Sequence, residues 1–167
     1  MVAAGATPST VDGSARSALW LASCNGASAV VASLLKAGAA LESADREGVT
    51  PLACAAAHGH ADVVDRLARS GASLAARTGN GDTPLMLAAA GGHAAVVRRL
   101  LASAAPTDLQ NAHGDTALIL ASQSGDLESV QALLAAGASR KLRNRDGVAA
   151  ADAAKARSFD GLVAVLN

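Results

Sequence analysis

Glycine returns at 33-residue intervals, as Gly48, Gly81, Gly114 and Gly147, and that interval restricts the chain to a stack of small, similar units. A period of roughly 20–50 residues means that each unit buries its apolar side only against its neighbours, rather than in one central core. Other residues keep the same register. Thr50-Pro51-Leu52 returns as Thr83-Pro84-Leu85 and Thr116-Ala117-Leu118, Gly59-His60 as Gly92-His93, and Val63-Val64 as Val96-Val97.

The unit spanning 45–77 shows how such a segment folds. Thr50 is an N-cap acceptor, and Pro51 fits the first helical turn, which needs no backbone N–H. Leu52, Ala55 and Ala56 then share one helical face. Gly59 ends this helix, because glycine accepts the left-handed C-terminal conformation. Val63, Val64 and Leu67 form the stripe of a second helix, which Gly71 ends. The segment from Ser73 to Gly81 reads as an extended, turn-rich connection. Two antiparallel helices and a protruding turn make the unit.

Composition agrees with thin, closely packed helices. Hydrophobic residues make up 51% of the 167, but aromatics only 1%. A core with so few rings must rely on alanine and close helix approach. The formal net charge is zero, so no global basic field draws the chain to nucleic acid or anionic lipid. No apolar run approaches the ~20 residues of a membrane span. Cys24 and Cys54 lie in different units, which predicts reduced thiols rather than a disulfide framework. With no secretory pattern at the start and no Asn-x-Ser/Thr sequon, the expected location is intracellular: the cytoplasm, with the nucleus as the alternative. Residues 1–11, rich in Ala, Gly, Thr, Pro and Ser, read as a disordered leader.

The T-P-L triplets, Gly-His pairs and glycine register over residues 12–167 resemble the ankyrin repeat family. The resemblance implies an all-α solenoid of stacked antiparallel helix pairs with protruding β-turn fingers. It divides the chain into repeats at about 12–44, 45–77, 78–110, 111–143 and 144–167, the first and last being degenerate caps. Several positions depart from the family pattern. The histidine of the family's T-P-L-H motif is replaced by Trp20, Ala53, Met86, Ile119 and Asp152. Losing it should trade polar tethering of the fingers for apolar packing, although Asp152 resembles family caps. Trp20 is expected to seal the end of the stack, with a binding hot spot as the alternative. Ala15, Ala104 and Ser158 stand where glycine is usual. The loop asparagine hydroxylated in some family members is absent, its positions holding Glu42, Ala75, Asp108 and Lys141.

No constellation for chemistry stands out. The nucleophile elbow G-x-S-x-G and the phosphate-binding glycine motifs are missing. Cys54, His58 and His60 superficially resemble metal ligands, but a zinc site wants a fourth. Their slots are an inner-helix position and the family's structural histidine. No catalytic residue, cofactor or metal is expected.

The resemblance implies binding of a partner protein on the concave side. Expected contacts are Arg46, Glu47, Asn80, Asp82, His113, Asp115 and Arg145 at finger tips. His58, Gln123 and Arg157 follow at first-helix ends, and Arg77 and Arg143 where the chain enters a finger. These positions differ between repeats while the framework does not, so they are free to suit a partner. Arg140, Lys141, Arg143, Arg145, Lys155 and Arg157 crowd the C-terminal end and would steer an acidic surface. The expected function is a non-enzymatic scaffold. The alternative is a regulatory or inhibitory subunit of a permanent or self-associated assembly, using an alanine-rich outer surface over 88–95. Neither nucleic acid nor membrane is expected as a partner. A monomer is favoured over a homo-oligomer.

Overall fold

A computed structural model describes residues 10–167. Most of the proposed leader 1–11 therefore lies outside the described residues; Val11 forms an isolated bridge with Ser17. Ten α-helices follow among the described residues: α1 (Ala18–Cys24), α2 (Ser28–Lys36), α3 (Pro51–Ala57), α4 (Ala61–Arg69), α5 (Pro84–Ala90), α6 (Ala94–Ala102), α7 (Ala117–Ser124), α8 (Leu127–Ala135), α9 (Ala150–Ala156) and α10 (Asp160–Leu166). Each odd-numbered helix packs on its own even-numbered partner and on the odd-numbered helices before and after it. The result is a solenoid with an inner row (α1, α3, α5, α7, α9) and an outer row.

Helix starts follow the sequence. The hydroxyls of Ser17, Thr50, Thr83 and Thr116 accept from the backbone N–H three residues on, and Pro51 and Pro84 occupy the first turn. In the last repeat the capping bond runs the other way. Asp152 accepts from the Ala149 N–H at 3.0 Å.

The inner helices are small-residue rods. Pro51 to Ala56 are all buried, and Ala55, Ala56, Ala88, Ala89, Ala121 and Ala154 belong to the apolar core that runs through the repeats. Outer helices bury one stripe, Val63, Val64 and Leu67 in α4, and expose Asp62, Arg66 and Arg69. Ala88 and Ala89 lie in the core because they face the neighbouring inner helices. The alanine-rich outer surface expected over 88–95 thus reduces to Ala90, Gly91, Gly92 and Ala95.

Histidine and glycine cooperate between repeats. His60 donates its Nε2–H to the Cys24 carbonyl at 2.9 Å, and His93 does the same to Ala57 at 3.0 Å. Each ring lies over the preceding repeat's glycine: a Cβ at Gly59 would come within 2.8 Å of the His93 ring. Phe159 fills this place over Gly125, while Ser124 supplies the bond to the preceding repeat, donating to the Ala89 carbonyl at 3.1 Å.

One expectation is overturned. Cys24 and Cys54 form a disulfide between the inner helices α1 and α3, with Cα atoms 5.1 Å apart. They are 30 residues apart, not one period, so they do not occupy equivalent slots. The offset of about one helical turn places the end of α1 beside the second turn of α3.

Candidate functional site

Five turns, at 12–16, 45–49, 78–82, 111–115 and 144–148, project beyond the inner helices. Each closes on itself: Asp45 N–H donates to the Val49 carbonyl at 3.1 Å, and Asn111 N–H to Asp115 at 3.1 Å. The first side chain of each finger holds the turn from inside. The Asp45 carboxylate accepts from the N–H groups of Glu47 and Val49; Asn111 and Asn144 do likewise, and Thr78 accepts from Asp82. Such side-chain turns are why Asp, Asn and Thr suit these positions.

The fingers are also tied to one another. Backbone N–H groups of Arg46, Gly79, Ala112 and Arg145 donate to the carbonyls of Ser14, Glu47, Asn80 and His113 in the preceding finger, at 3.3, 2.7, 2.9 and 2.9 Å. Asn111 donates its Nδ2–H to Asp82 at 2.7 Å, and Asn144 to Asp115 at 2.8 Å. A third set of bonds comes from the residue before each of the last three fingers. Arg77 donates to the carbonyls of Gly81 (3.0 Å) and Gln110 (2.8 Å). Gln110 donates to those of Gly114 and Arg143. Arg143 donates to the Gly147 carbonyl and pairs with Asp152 at 2.8 Å. The backbone bond from Ala149 and this arginine together hold the Asp152 carboxyl below the usual aspartate range. At the other end of the stack, the hydrogen bonds from Arg16, Ser14 and the Arg16 backbone bring Asp12 down to about 2.

The missing T-P-L-H histidine is replaced in different ways. Trp20, in its slot, donates Nε1–H to the Val49 carbonyl at 2.8 Å and thereby tethers the second finger. The Arg16 guanidinium lies 5.6 Å from its ring centre. Trp20 is half-buried under the fingers rather than being only a lid on the stack. Met86 offers its sulfur to the Thr83 N–H, and Ala53 and Ile119 are simply buried.

The predicted site residues now separate into two groups. Arg77, Asp82, Asp115 and Arg143 hold the fingers together, and Asp115 is only 9% exposed. Arg46, Glu47, Asn80, His113 and Arg145 contribute backbone groups to the ladder, while all five residues are exposed on successive fingers. His58 and Arg157 are exposed C-caps of α3 and α9, and Gln123 is half-buried in α7. A groove of 570 Å³ runs between the fingers 45–49 and 78–82 and the inner helices, and brings together Glu47, His58, Asn80 and Asp82 from this set. Its floor adds Trp20, Cys54, Ala57 and Leu87. Ala57 and Leu87 were not predicted. Their only signal is an apolar identity at inner-helix positions that the helix-pair core leaves half-buried.

Cys54 is bonded to Cys24, and its sulfur lies 3.7 Å from His58 Nδ1; that nitrogen is also 2.9 Å from the Cys54 carbonyl. The His58 and His60 rings are nearly parallel, with centres 6.1 Å apart. Among the described residues no helix is long and apolar enough to cross a membrane.

A family model described as ankyrin repeats (3 copies) matches residues 1–78 and 70–144. No curated protein matches the chain.

Proposed function

Because the chain belongs to the ankyrin repeat family, we propose that it is a non-enzymatic module that holds another protein against its concave face of finger tips and inner-helix ends. Repeats of this family are generally protein–protein interaction modules. The observation that carries the reading is the three-fold tying of the fingers by turn side chains, backbone bonds and the Arg77–Gln110–Arg143 braces. A face fixed in this way loses little conformational freedom on docking, so contacts made on it translate efficiently into affinity. In this reading Arg46, Glu47, His58, Asn80, His113, Gln123, Arg145 and Arg157 touch the partner. Arg77, Asp82, Asp115 and Arg143 shape the face from within. Arg145 is the preferred anchor among the arginines, since its guanidinium is not engaged in bracing a finger.

The thiols expected to be reduced are joined, so Cys24 and Cys54 lend no support to a reducing compartment. The functional reading does not depend on it.

Affinity capture from source-cell extract tests the proposal. The bait is wild-type chain beside a triple variant, Asn80→Lys, His113→Glu and Arg145→Glu, which changes exposed tips without removing a brace. A control bait carries Lys36→Glu and Gln131→Lys on outer helices. A protein retained by wild type and control but lost from the triple variant supports the concave face. Retention by all three baits contradicts it.

A further inference from the structure

Charge is unevenly placed along the concave face. The groove between the second and third fingers is bordered by Asp45, Glu47 and Asp82, and among the described residues neither lysine nor arginine lines it. Two of these carboxylates also hold the fingers: Asp45 accepts the turn's N–H groups, and Asp82 accepts from Asn111. Glu47 reaches out from an exposed tip, and only its backbone carbonyl enters the ladder, at 2.7 Å from the Gly79 nitrogen. Of the arginines nearby, Arg16 lies against Trp20 and is paired with Asp12 at 2.7 Å, Arg77 donates to the Gly81 and Gln110 carbonyls, and Arg46, beside Glu47 on the same finger, lines the adjoining hollow with Arg16 rather than this groove. Beneath the acidic rim the floor is apolar and aromatic, from the Trp20 ring to Leu87. The basic fingers, with Arg143 and Arg145, stand two and more repeats away.

We propose that this groove takes a partner segment in which a lysine or arginine sits beside a large apolar side chain. The apolar side chain enters over Ala57 and Leu87, and the cation lies at the rim between Glu47 and Asp82. Charge complementarity selects this occupant. An acidic segment would bring its charge against three carboxylates, two of which cannot turn away without releasing a finger. An uncharged apolar segment would cover the rim and desolvate three negative charges that the hydrogen bonds to Asp45 and Asp82 do not neutralise. The inference rests on the concave-face reading and adds the chemistry of the partner.

The test is selection of a displayed random peptide library on three immobilised proteins. These are wild type, Glu47→Lys, which alters only an exposed tip, and Ala57→Trp, which fills the groove whatever the charge of its occupant. Wild type is expected to enrich peptides with Lys or Arg next to Leu, Ile, Met or Phe. Single peptides from that pool should bind Glu47→Lys roughly tenfold more weakly, as expected when an exposed attraction becomes a repulsion. They should also lose binding to Ala57→Trp. Trp20, the single tryptophan of the chain, reports occupancy by fluorescence. Enrichment of acidic or uncharged peptides, lost on Ala57→Trp, overturns the proposal and leaves the concave-face reading standing. No enrichment overturns the proposal as well. Peptides that bind Ala57→Trp as well as wild type overturn the proposal, and overturn the concave-face reading as well only if the Asn80→Lys/His113→Glu/Arg145→Glu variant also retains them.

Discussion

Replacing Ala104 by glycine should stabilise the protein, and the repeat supplies its own controls. Ala104 follows the C-cap of α6 with φ +64°, a left-handed conformation for a residue with a side chain. The same slot in the other repeats is Gly38, Gly71 and Gly137, at φ +81°, +91° and +87°. A Cβ at any of these three glycines would meet nothing within 4 Å, and Ala104 is itself exposed. Packing therefore cancels, and backbone conformation decides. An L-residue in this region costs about 1–2 kcal/mol. Glycine gives back about 0.5–1 kcal/mol through its larger chain entropy when unfolded. The net gain for Ala104→Gly is about 0.5–1 kcal/mol, or about 1–4 °C in midpoint for a chain of this size. Gly71→Ala should lose as much. The assay is urea and thermal unfolding of both variants, with m-values compared to confirm that the native fold is kept. An Ala104→Gly variant no more stable than wild type, beside a Gly71→Ala variant that loses nothing, would refute the conformational reasoning.

Three further outcomes follow from the same geometry. Reducing the Cys24–Cys54 bond, or replacing both cysteines by alanine, releases a loop of 30 residues. The midpoint of unfolding should fall by an amount corresponding to about 3–4 kcal/mol at most; an unchanged midpoint under reductant means that the bond contributes no stability. His93→Ala removes the bond to the Ala57 carbonyl and the ring over Gly59. A loss of about 1–2 kcal/mol in denaturant unfolding is expected, and a neutral result would show that the histidine does not couple the repeats. Asp12 is depressed to about 2, and Asp152 lies below its ordinary value. Their contribution is therefore complete above the unfolded aspartate range near pH 4 and lost as pH falls towards 2. An Asp12→Asn/Asp152→Asn variant should show a flatter decline in midpoint between pH 4 and 2 than wild type; parallel declines would contradict the assignment.

The architecture was legible because packing between repeats demands the same residue at each period. Thr50, Thr83 and Thr116 cap their helices as their sequence pattern requires. Ala15, Ala104 and Ser158, which break the glycine register, still adopt positive φ. There the stack imposes the conformation whatever the residue. The site was less legible, for two physical reasons. Variation between repeats suggested that Arg77 and Arg143 were free for a partner. The bracing role needs only a long donor able to reach a carbonyl in its own finger and the one just before the next, and Gln110 meets that requirement with different chemistry. The disulfide depends on the stagger of two adjacent helices, which a spacing of 30 residues does not reveal without their packing.

The most direct test of the concave-face account is site-specific photocrosslinking in source-cell extract. A benzophenone amino acid would replace Asn80 or His113 on the fingers, and Gln131 on the outer helix α8. The account predicts that one protein is crosslinked from positions 80 and 113 and not from 131. Crosslinking of that protein from 131, with none from the two finger positions, would contradict it.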